Sequence, residues 1–482
     1  MPSEIEIKLE LSTEALESLL GSDLLGEPDK ILEQSSTYFD TVDHRLFQEG
    51  FSLRIRRSGA ARMQTVKAIG PSKSLFARSE WETPIEGEEP VLDHSSPLVS
   101  EFGSDLAVEP VFDVDVERRV WNVKENGSLI EVVVDQGEAV SGDRQSAIRE
   151  VELELKDGDR KDLFILARKV DGIVPSRFGV RSKSEKGFAL VDLQRSVFKA
   201  EGLDLERNMP AVAAFQAIAS SCFRQFRLNE DVLLHRRNPE ALHQARVALR
   251  RLRSAFSLFK PILSGEEPGR MNAEMRWLAG VLGEARNIDV LLAKAKDADL
   301  VSKLTDARRG AYDGAIGALN SSRARALALD FNDWLQCGEY LERKDAADQA
   351  PSASEFAVEA LDRSRKKLKK HARALACVDD EHRHEVRKDA KKLRYAAEFF
   401  GSLFDSKRGT RRHKKFIAAM ADLQDDLGAL SDLATGPDVL EKYGLADHPA
   451  RDSVLSHADK DILVGTAQES VDDVLEAKQF WR

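Results

Sequence analysis

Cysteine is scarce in this chain of 482 residues: Cys222, Cys337 and Cys377 stand far apart and form no CxxC pair. That excludes a disulfide scaffold and a zinc ribbon, and it suits a reducing cytoplasm. No run approaches the roughly 18 uninterrupted apolar residues that a membrane-spanning helix needs. The opening Met1-Pro2-Ser3-Glu4-Ile5-Glu6 enters strand-like sequence without a basic or apolar leader, so secretion is not expected. Neither GxxxxGK[ST] nor GxGxxG occurs, which removes the P-loop and the Rossmann site from consideration. What remains is an ordinary globular composition, 42% hydrophobic and 32% charged, in a chain long enough for two domains.

The net charge of −11 is unevenly spread. Residues 1–200 hold 26 Lys+Arg against 38 Asp+Glu, whereas the remainder is nearly balanced and its window 361–420 holds 19 against 8. Bulk acidity argues against a general nucleic-acid binder, and the basic window asks for a polyanionic partner. The hydrophobic period changes at the same place. Up to about residue 190 it is near two, as in Glu4–Leu9, Leu53–Arg56, Ile130–Asp135 and Glu150–Leu155, with turn signals such as Asn126-Gly127 between and short helices expected at 12–20, 93–102 and 159–170. From about 206 it is 3.6, with helices expected at 210–234, 239–263, 268–295, 299–329, 353–375, 380–404, 408–434 and 458–477. The expected fold is α+β and multidomain, an antiparallel sheet domain over 1–200 followed by an all-α domain over 206–482.

The helical half repeats itself. A shift of 141 residues maps His243 onto His384, Arg246 onto Arg387, Arg250 onto Lys391, Leu252 onto Leu393, Arg253 onto Arg394 and Phe259 onto Phe400. Leu282-Gly283 and Leu427-Gly428 follow the two copies. Two helical bundles related by a pseudo-twofold are expected.

In the sheet half, charged residues share one strand face. Glu4, Glu6 and Lys8 oppose Ile5, Ile7 and Leu9; Arg54 and Arg56 oppose Leu53 and Ile55; Glu150, Glu152 and Glu154 oppose Val151, Leu153 and Leu155. On a single strand this is a solvated outer face with cross-strand ion pairs. Repeated over most strands of a sheet that closes, it lines a wide interior with its apolar face under helices. Clustered carboxylates there can bind Mg²⁺ or Mn²⁺, while Arg and Lys grip phosphate oxygens.

These residues carry a family resemblance. Glu4-Ile5-Glu6-Ile7-Lys8 is the ExExK motif of the CYTH, or triphosphate tunnel metalloenzyme, superfamily, and the ordered charged strands behind it extend the resemblance over about 1–190. It implies an eight-stranded antiparallel β tunnel with flanking helices that acts on triphosphates with divalent metal. It also implies metal ligands Glu152 and Glu154, with Glu4, Glu6 and Asp135 assisting, and triphosphate ligands Lys8, Arg54, Arg56, Lys67, Arg118 and Lys183. Glu4, Glu6, Lys8, Glu152 and Glu154 form the implied catalytic group. Three choices stay open: Arg118 is favoured over Arg119, Glu80 or Glu82 fills the mid-barrel position, and Arg181 or Lys183 closes the tunnel.

On a helical projection His243, Arg246, Arg250 and Arg253 fall on one arc, opposite Ala245, Leu249, Leu252, Phe256 and Phe259; His384, Arg387, Lys391 and Arg394 repeat the arc. A lone basic stripe is a solvated helix face, but two symmetry-related copies make a binding surface, each about 15 Å long and suited to a linear polyanion. No aromatic residues interleave with them, which makes single-stranded nucleic acid an unlikely ligand. His243 and His384 also lack the i, i+4 histidine partner of a zinc helix. These helices resemble the CHAD domain, often found behind CYTH, and the resemblance implies polyphosphate binding and association with polyphosphate granules in the cytoplasm. The expectation is therefore a metal-dependent inorganic triphosphatase with a polyphosphate-binding helical domain and no membrane partner. The alternatives are an enzyme on an organic triphosphate (adenylyl cyclase or thiamine triphosphatase) and a non-catalytic polyphosphate adaptor.

Overall fold

The computed structural model describes all residues except 1–4, 69–78, 94–95, 192–196, 342–350, 374, 376–377 and 456–458. It divides into two compact units, residues 1–196 with 321–338 and residues 197–320 with 339–482.

The first unit is built on nine strands: β1 (Glu6–Glu10), β2 (Lys30–Asp40), β3 (Phe51–Ser58), β4 (Ala61–Ala68), β5 (Ser79–Pro84), β6 (Glu109–Glu125), β7 (Ser128–Ser141), β8 (Arg144–Asp157) and β9 (Arg177–Phe178). Their order is β5-β4-β3-β2-β6-β7-β8-β1-β9, and the pairings are antiparallel. This corrects the expected eight-stranded closed barrel. The sheet is open, with β5 and β9 as its edges among the described residues. The ninth strand is a two-residue addition that pairs Phe178 with Leu9 and Arg177 with Glu10.

The sheet is nevertheless curled. Arg54 stands opposite Tyr38, which stands opposite Phe112. Arg118 lies six residues further along β6, so a flat sheet would put it about 20 Å from Arg54. The two guanidiniums instead lie close enough for Arg118 to repel the Arg54 charge.

Helices α1 (Thr13–Leu20), α2 (Arg45–Gln48), α3 (Pro97–Phe102), α4 (Arg160–Ile173) and α5 (Lys183–Val191) complete the continuous part of this unit. Alternation buries Ile7, Leu9, Val132, Val134, Val151 and Leu153 on the outer face, and α4 packs on β1 and β8 with Leu163, Phe164, Leu166, Ala167 and Val170 buried. The inner face is not charged throughout. Tyr38, Phe112, Val114, Val116, Ala139 and Ile148 make one end of it apolar, and α5 covers that end with Phe188, stacked on Phe47 at 4.1 Å and edge-on to Phe112. Gly187 permits the approach, since a Cβ there would sit 2.0 Å from the Phe112 ring.

The second half of the sequence contributes α6 (Ala211–His235), α7 (Pro239–Phe259), α8 (Glu267–Lys294), α9 (Ala298–Asn320), α10 (Ser322–Cys337), α11 (Ala353–His371), α12 (Asp380–Phe399), α13 (Lys407–Lys442) and α14 (Lys460–Glu476). Asn238 caps α7 through the amides of Glu240 and Ala241, with Pro239 at its first position. The helix expected over 299–329 breaks at Ser321, whose hydroxyl accepts from the Ala324 amide and starts α10. Helix α10 belongs to the first unit: it packs on α4 and β9. The compact units therefore differ from a single cut between 200 and 206, because a helix coded deep in the second half completes the first.

The remaining helices form two sets in which successive helices pack together, α6–α9 and α11–α14. Helix α6 meets α11, α7 meets α12 and α8 meets α13, so these three helices each touch their counterpart under the 141-residue shift, as helices beside a twofold axis do. No described helix is long and apolar enough to cross a membrane.

Candidate active site

On the inner face the strand register stacks charged residues into rungs. One rung sets Glu6 opposite Glu154 and Glu154 opposite Glu131; the next sets Lys8 opposite Glu152; the third joins Glu10, Glu150, Asp135 and Arg118. Like charges placed directly opposite are unfavourable. In the first rung two cations among the described residues offset them, Lys156 at 2.7 Å from Glu154 and 3.2 Å from Glu131, and Lys8 at 3.3 Å from Glu6.

The second and third rungs form a dense buried network. Glu152 accepts from Lys8 at 2.8 Å, Lys183 at 3.0 Å and Arg118 at 3.2 Å. Arg118 grips Asp135 with both Nε and Nη2, at 2.8 and 2.6 Å. Lys183 lies 2.7 Å from Asp135 and also pairs with Glu150, which Lys186 contacts at 3.0 Å. Burial opposes charge here, but the partners prevail. Burial raises the Glu152 carboxyl, yet Lys183, Lys8 and Arg118 hold it well below the carboxylate range. Burial likewise lowers Lys8, yet Glu152 and Glu6 hold its ammonium above its usual value; Asp135, Glu150 and Glu152 do the same for Lys183.

Carboxylate oxygens of Asp135, Glu150 and Glu152 lie within 4.8 Å of one another, close enough to hold one ion between them. All are hard oxygen donors, the set that Mg²⁺ or Mn²⁺ takes. Glu152 joins this group to the first rung, where Glu6 and Glu154 are more open to solvent.

Across the curl, Lys67 pairs with Glu80 at 2.7 Å, and Arg54 lies 3.9 Å from Glu80 and donates to the Tyr38 hydroxyl at 3.3 Å. The Arg54 Nε is buried without a hydrogen-bond partner. Arg56 is half-buried on the same face, opposite Ser36 and Met63. Glu4 lies outside the described residues.

Two of the open pairs separate by strand face or partner. Arg118 faces the network, while Arg119 turns to Glu117 on the other face. Glu80, not Glu82, meets Arg54 and Lys67; Glu82 accepts from Thr65. Lys183 enters the network from the first turn of α5 and not from a strand. Ser182 and Glu185 cap that turn reciprocally. Three participants went unassigned in the sequence: Glu150, Lys186 and Tyr38. Glu150 was visible as a member of the Glu150-Glu152-Glu154 face, whereas Lys186 is reachable only once α5 is known to cover the sheet.

In the second unit the two basic stripes converge. Lys391 lies within electrostatic reach of Arg387, Arg250 and Arg246, and Arg387 within reach of Arg250. No carboxylate among the described residues is within 4.0 Å of Arg246, Arg250, Arg387 or Lys391. Burial, then Arg387, Arg250 and Arg246, push Lys391 down to about 7 from its ordinary 10.5. Burial with Arg250 and Arg286 takes Arg246 to about 10, and burial with neighbouring cations lowers both His243 and His384. Arg246 donates to the Ala279 carbonyl at 2.7 Å across Gly283, where a Cβ would sit 2.2 Å from its Nη1. Gly428, its counterpart, has open space. The outer members are engaged: Arg253 by Asn272 at 3.1 Å, Arg394 by Glu398 at 2.9 Å and Gln424 at 3.0 Å.

Sequence profiles decide the family. That of the CYTH domain matches residues 2–186, and that of the CHAD domain matches 217–441. The chain carries a CYTH domain followed by a CHAD domain. Over its CYTH part it is 32% identical across 196 residues to a Haemophilus influenzae protein named inorganic triphosphatase, covering 39% of this chain and 55% of that protein. The chain thus spans little more than half the length of that relative. An uncharacterised Mycobacterium tuberculosis protein is 28% identical over 426 residues, covering 77% of this chain and 78% of its own. The crystal structure of the CHAD domain from the plant Ricinus communis matches 59% of this chain and 98% of its own with a TM-score of 0.50 and 29% identity. The buried ionic network lies in the CYTH domain, and the cation cluster lies in the CHAD domain.

Proposed function

We propose that the CYTH domain hydrolyses inorganic triphosphate to pyrophosphate and phosphate with Mg²⁺ or Mn²⁺, and that the CHAD domain binds inorganic polyphosphate. The observation that supports the first part most is an inner sheet face where seven carboxylates and at least five cations lie together, too many cations for a metal site alone and too many carboxylates for an anion site alone.

Glu6, Glu152 and Glu154, with Glu4 ahead of them, would hold the divalent ion, and Asp135 lies against the same network. When bound, the ion supplies Lewis-acid polarisation of a phosphoryl oxygen. The chain does the rest by position and charge. Lys8, Arg118 and Lys183 are kept cationic by their partners, and with Arg54, Arg56 and Lys67 across the curl they orient successive phosphates and neutralise charge that grows as water attacks phosphorus and the bridging oxygen leaves. No protein nucleophile is required. The test is a panel of tripolyphosphate, ATP, thiamine triphosphate and long-chain polyphosphate with Mg²⁺ or Mn²⁺. Phosphate release should be fastest from tripolyphosphate and should stop on chelation. Preference for ATP or thiamine triphosphate would move the assignment to an organic triphosphate, and tight binding without turnover would make the protein an adaptor.

For the CHAD domain, four crowded cations, of which only Arg387 has a carboxylate (Asp432) within electrostatic reach among the described residues, lose repulsion when a polyanion arrives. Replacing Arg246, Arg250, Arg387 and Lys391 with Ala should weaken long-chain polyphosphate binding at least about 10-fold, and wild-type affinity should fall steeply with salt, as counterion release requires for polyanions. Because Lys391 titrates near 7 in the folded protein and near 10.5 when unfolded, the unfolded chain holds more protons between those values. Stability without ligand should therefore rise with pH across that window, while polyphosphate affinity should fall. Titrations at pH 6 and pH 8 check the sign, and K391M should flatten both trends.

A further inference from the structure

Helix α10 reaches the phosphate-binding end of the sheet through a short chain of contacts. Asp171, in the last turn of α4, uses one oxygen three times: Oδ1 accepts from the Ser176 amide at 3.0 Å, the Ser176 hydroxyl at 3.1 Å and Arg325 Nε of α10 at 2.7 Å. The clamp is buried, with Ser176 at 3% exposure and both ionic side chains at 13%. Ser176 leads directly into β9, which pairs with β1 at Leu9 and Glu10. The next residue, Gly179, donates its amide to the Lys8 carbonyl at 2.7 Å, and a Cβ there would press on Lys8 Cβ at 3.0 Å. The chain then turns at Ser182 into α5, whose first residue is Lys183. Between Asp171 and Lys183, β9 pairs with β1 over two residues, so the clamp fixes one end of a run whose other end carries a phosphate-binding ammonium.

We propose that Arg325 is a positioning residue for Lys8 and Lys183, acting through Asp171 and Ser176. The inference rests on the triphosphate reading. Of the three donors on Oδ1 only Arg325 is charged, and a charge-assisted hydrogen bond is roughly twice as strong as a neutral one. Without it Asp171 is a largely buried carboxylate held by two neutral donors, and the Ser176 turn is free to shift. In a site that works by placement, a displacement of about 1 Å costs on the order of 100-fold.

Helix α10 contains its own control. Arg168 of α4 binds Asp330 at 2.9 Å and Asp333 at 2.7 Å, tying the same two helices together away from the Ser176 turn. The experiment measures kcat and KM for tripolyphosphate with saturating Mg²⁺, and thermal melting, on full-length wild type, R325A, R325K, D171N and R168A. R325A and D171N should lower kcat/KM at least about 10-fold, with most of the loss in KM because the displaced groups hold phosphate. R325K should recover part of it, and the R325A/D171N double variant should be no worse than either single one. R168A should lower the melting temperature with kcat and KM unchanged. If R325A does not fold, D171N carries the kinetic comparison. An active wild type with unaltered kinetics in R325A or D171N overturns the inference alone, as does an R168A effect equal to theirs. A wild type that turns over no tripolyphosphate overturns the hydrolytic reading and the inference together.

Discussion

Glu152→Gln should reduce tripolyphosphate turnover by about 100-fold or more while leaving the circular dichroism spectrum unchanged. Glu152 is the junction of the site: it bonds Lys8, Lys183 and Arg118 and belongs to the carboxylate group that could hold a metal. The amide keeps the shape and removes the charge, and loss of a single supporting contact around a metal already costs 10- to 100-fold in typical sites, so about 100-fold is a lower bound for a ligand. The variant also has a pH signature. A carboxyl held below its ordinary 4.5 in the folded state contributes stability that is complete above that value and is lost as pH falls toward the folded pKa. The wild type should therefore lose stability on acidification below about pH 4.5 more steeply than E152Q. Phosphate release and melting curves at several pH values measure both effects, and near-wild-type turnover from folded E152Q would remove Glu152 from the site.

The second large effect concerns a fragment ending at residue 200. The period change near that residue argues for independent folding, but the structure gives the first unit a helix from 321–338. Cutting it away strips Arg168 of Asp330 and Asp333, strips Asp171 of Arg325, and uncovers the α4 surface. Breaking a buried pair by removing one partner costs about 3–5 kcal/mol, a large part of a domain's net stability. The fragment should melt about 10 °C or more below the first transition of the full chain, at roughly 2–4 °C per kcal/mol for this size. A synthetic peptide of residues 321–338 added in trans should raise the melting temperature and turnover. A fragment as stable and active as the intact chain, and indifferent to the peptide, would make α10 a bystander.

Much of this was legible from residue patterns because periodicity reports burial. The strand faces read from alternation coincide with the rungs, with Glu6, Lys8 and Glu152 on one face and Ile7, Leu9 and Val151 buried on the other. The basic stripes were legible for the same reason, since Leu249, Leu252 and Phe256 mark the buried side of α7. Contacts that cross between elements were not. Nothing local to Lys183 says that its segment leaves β9 as a helix, because a capped turn over Ser182–Glu185 and an alternating strand both fit Arg181-Ser182-Lys183. Glu398 follows Arg394 by four residues, yet its hold on Arg394 and on the buried Arg251 depends on how α7 meets α12. Ser321 stands within a continuous 3.6-residue pattern, and only the destination of α10 shows why the helix is interrupted there.

That destination governs the order in which the molecule can be made. The first unit closes only when residue 338 is present, after the 124 residues 197–320 of the other unit and the 18 residues 321–338 have been synthesised. At about 5–20 residues per second the nascent sheet must wait roughly 7–30 s with α4 uncovered. During that interval its β9 edge and the bare α4 face are open to other chains, while α6 to α9 emerge and pack with one another. The last step in completing the first unit is thus timed by translation of residues 197–338, which makes synthesis of the first bundle, and not the sheet's own folding, the quantity that sets how long the unfinished unit waits.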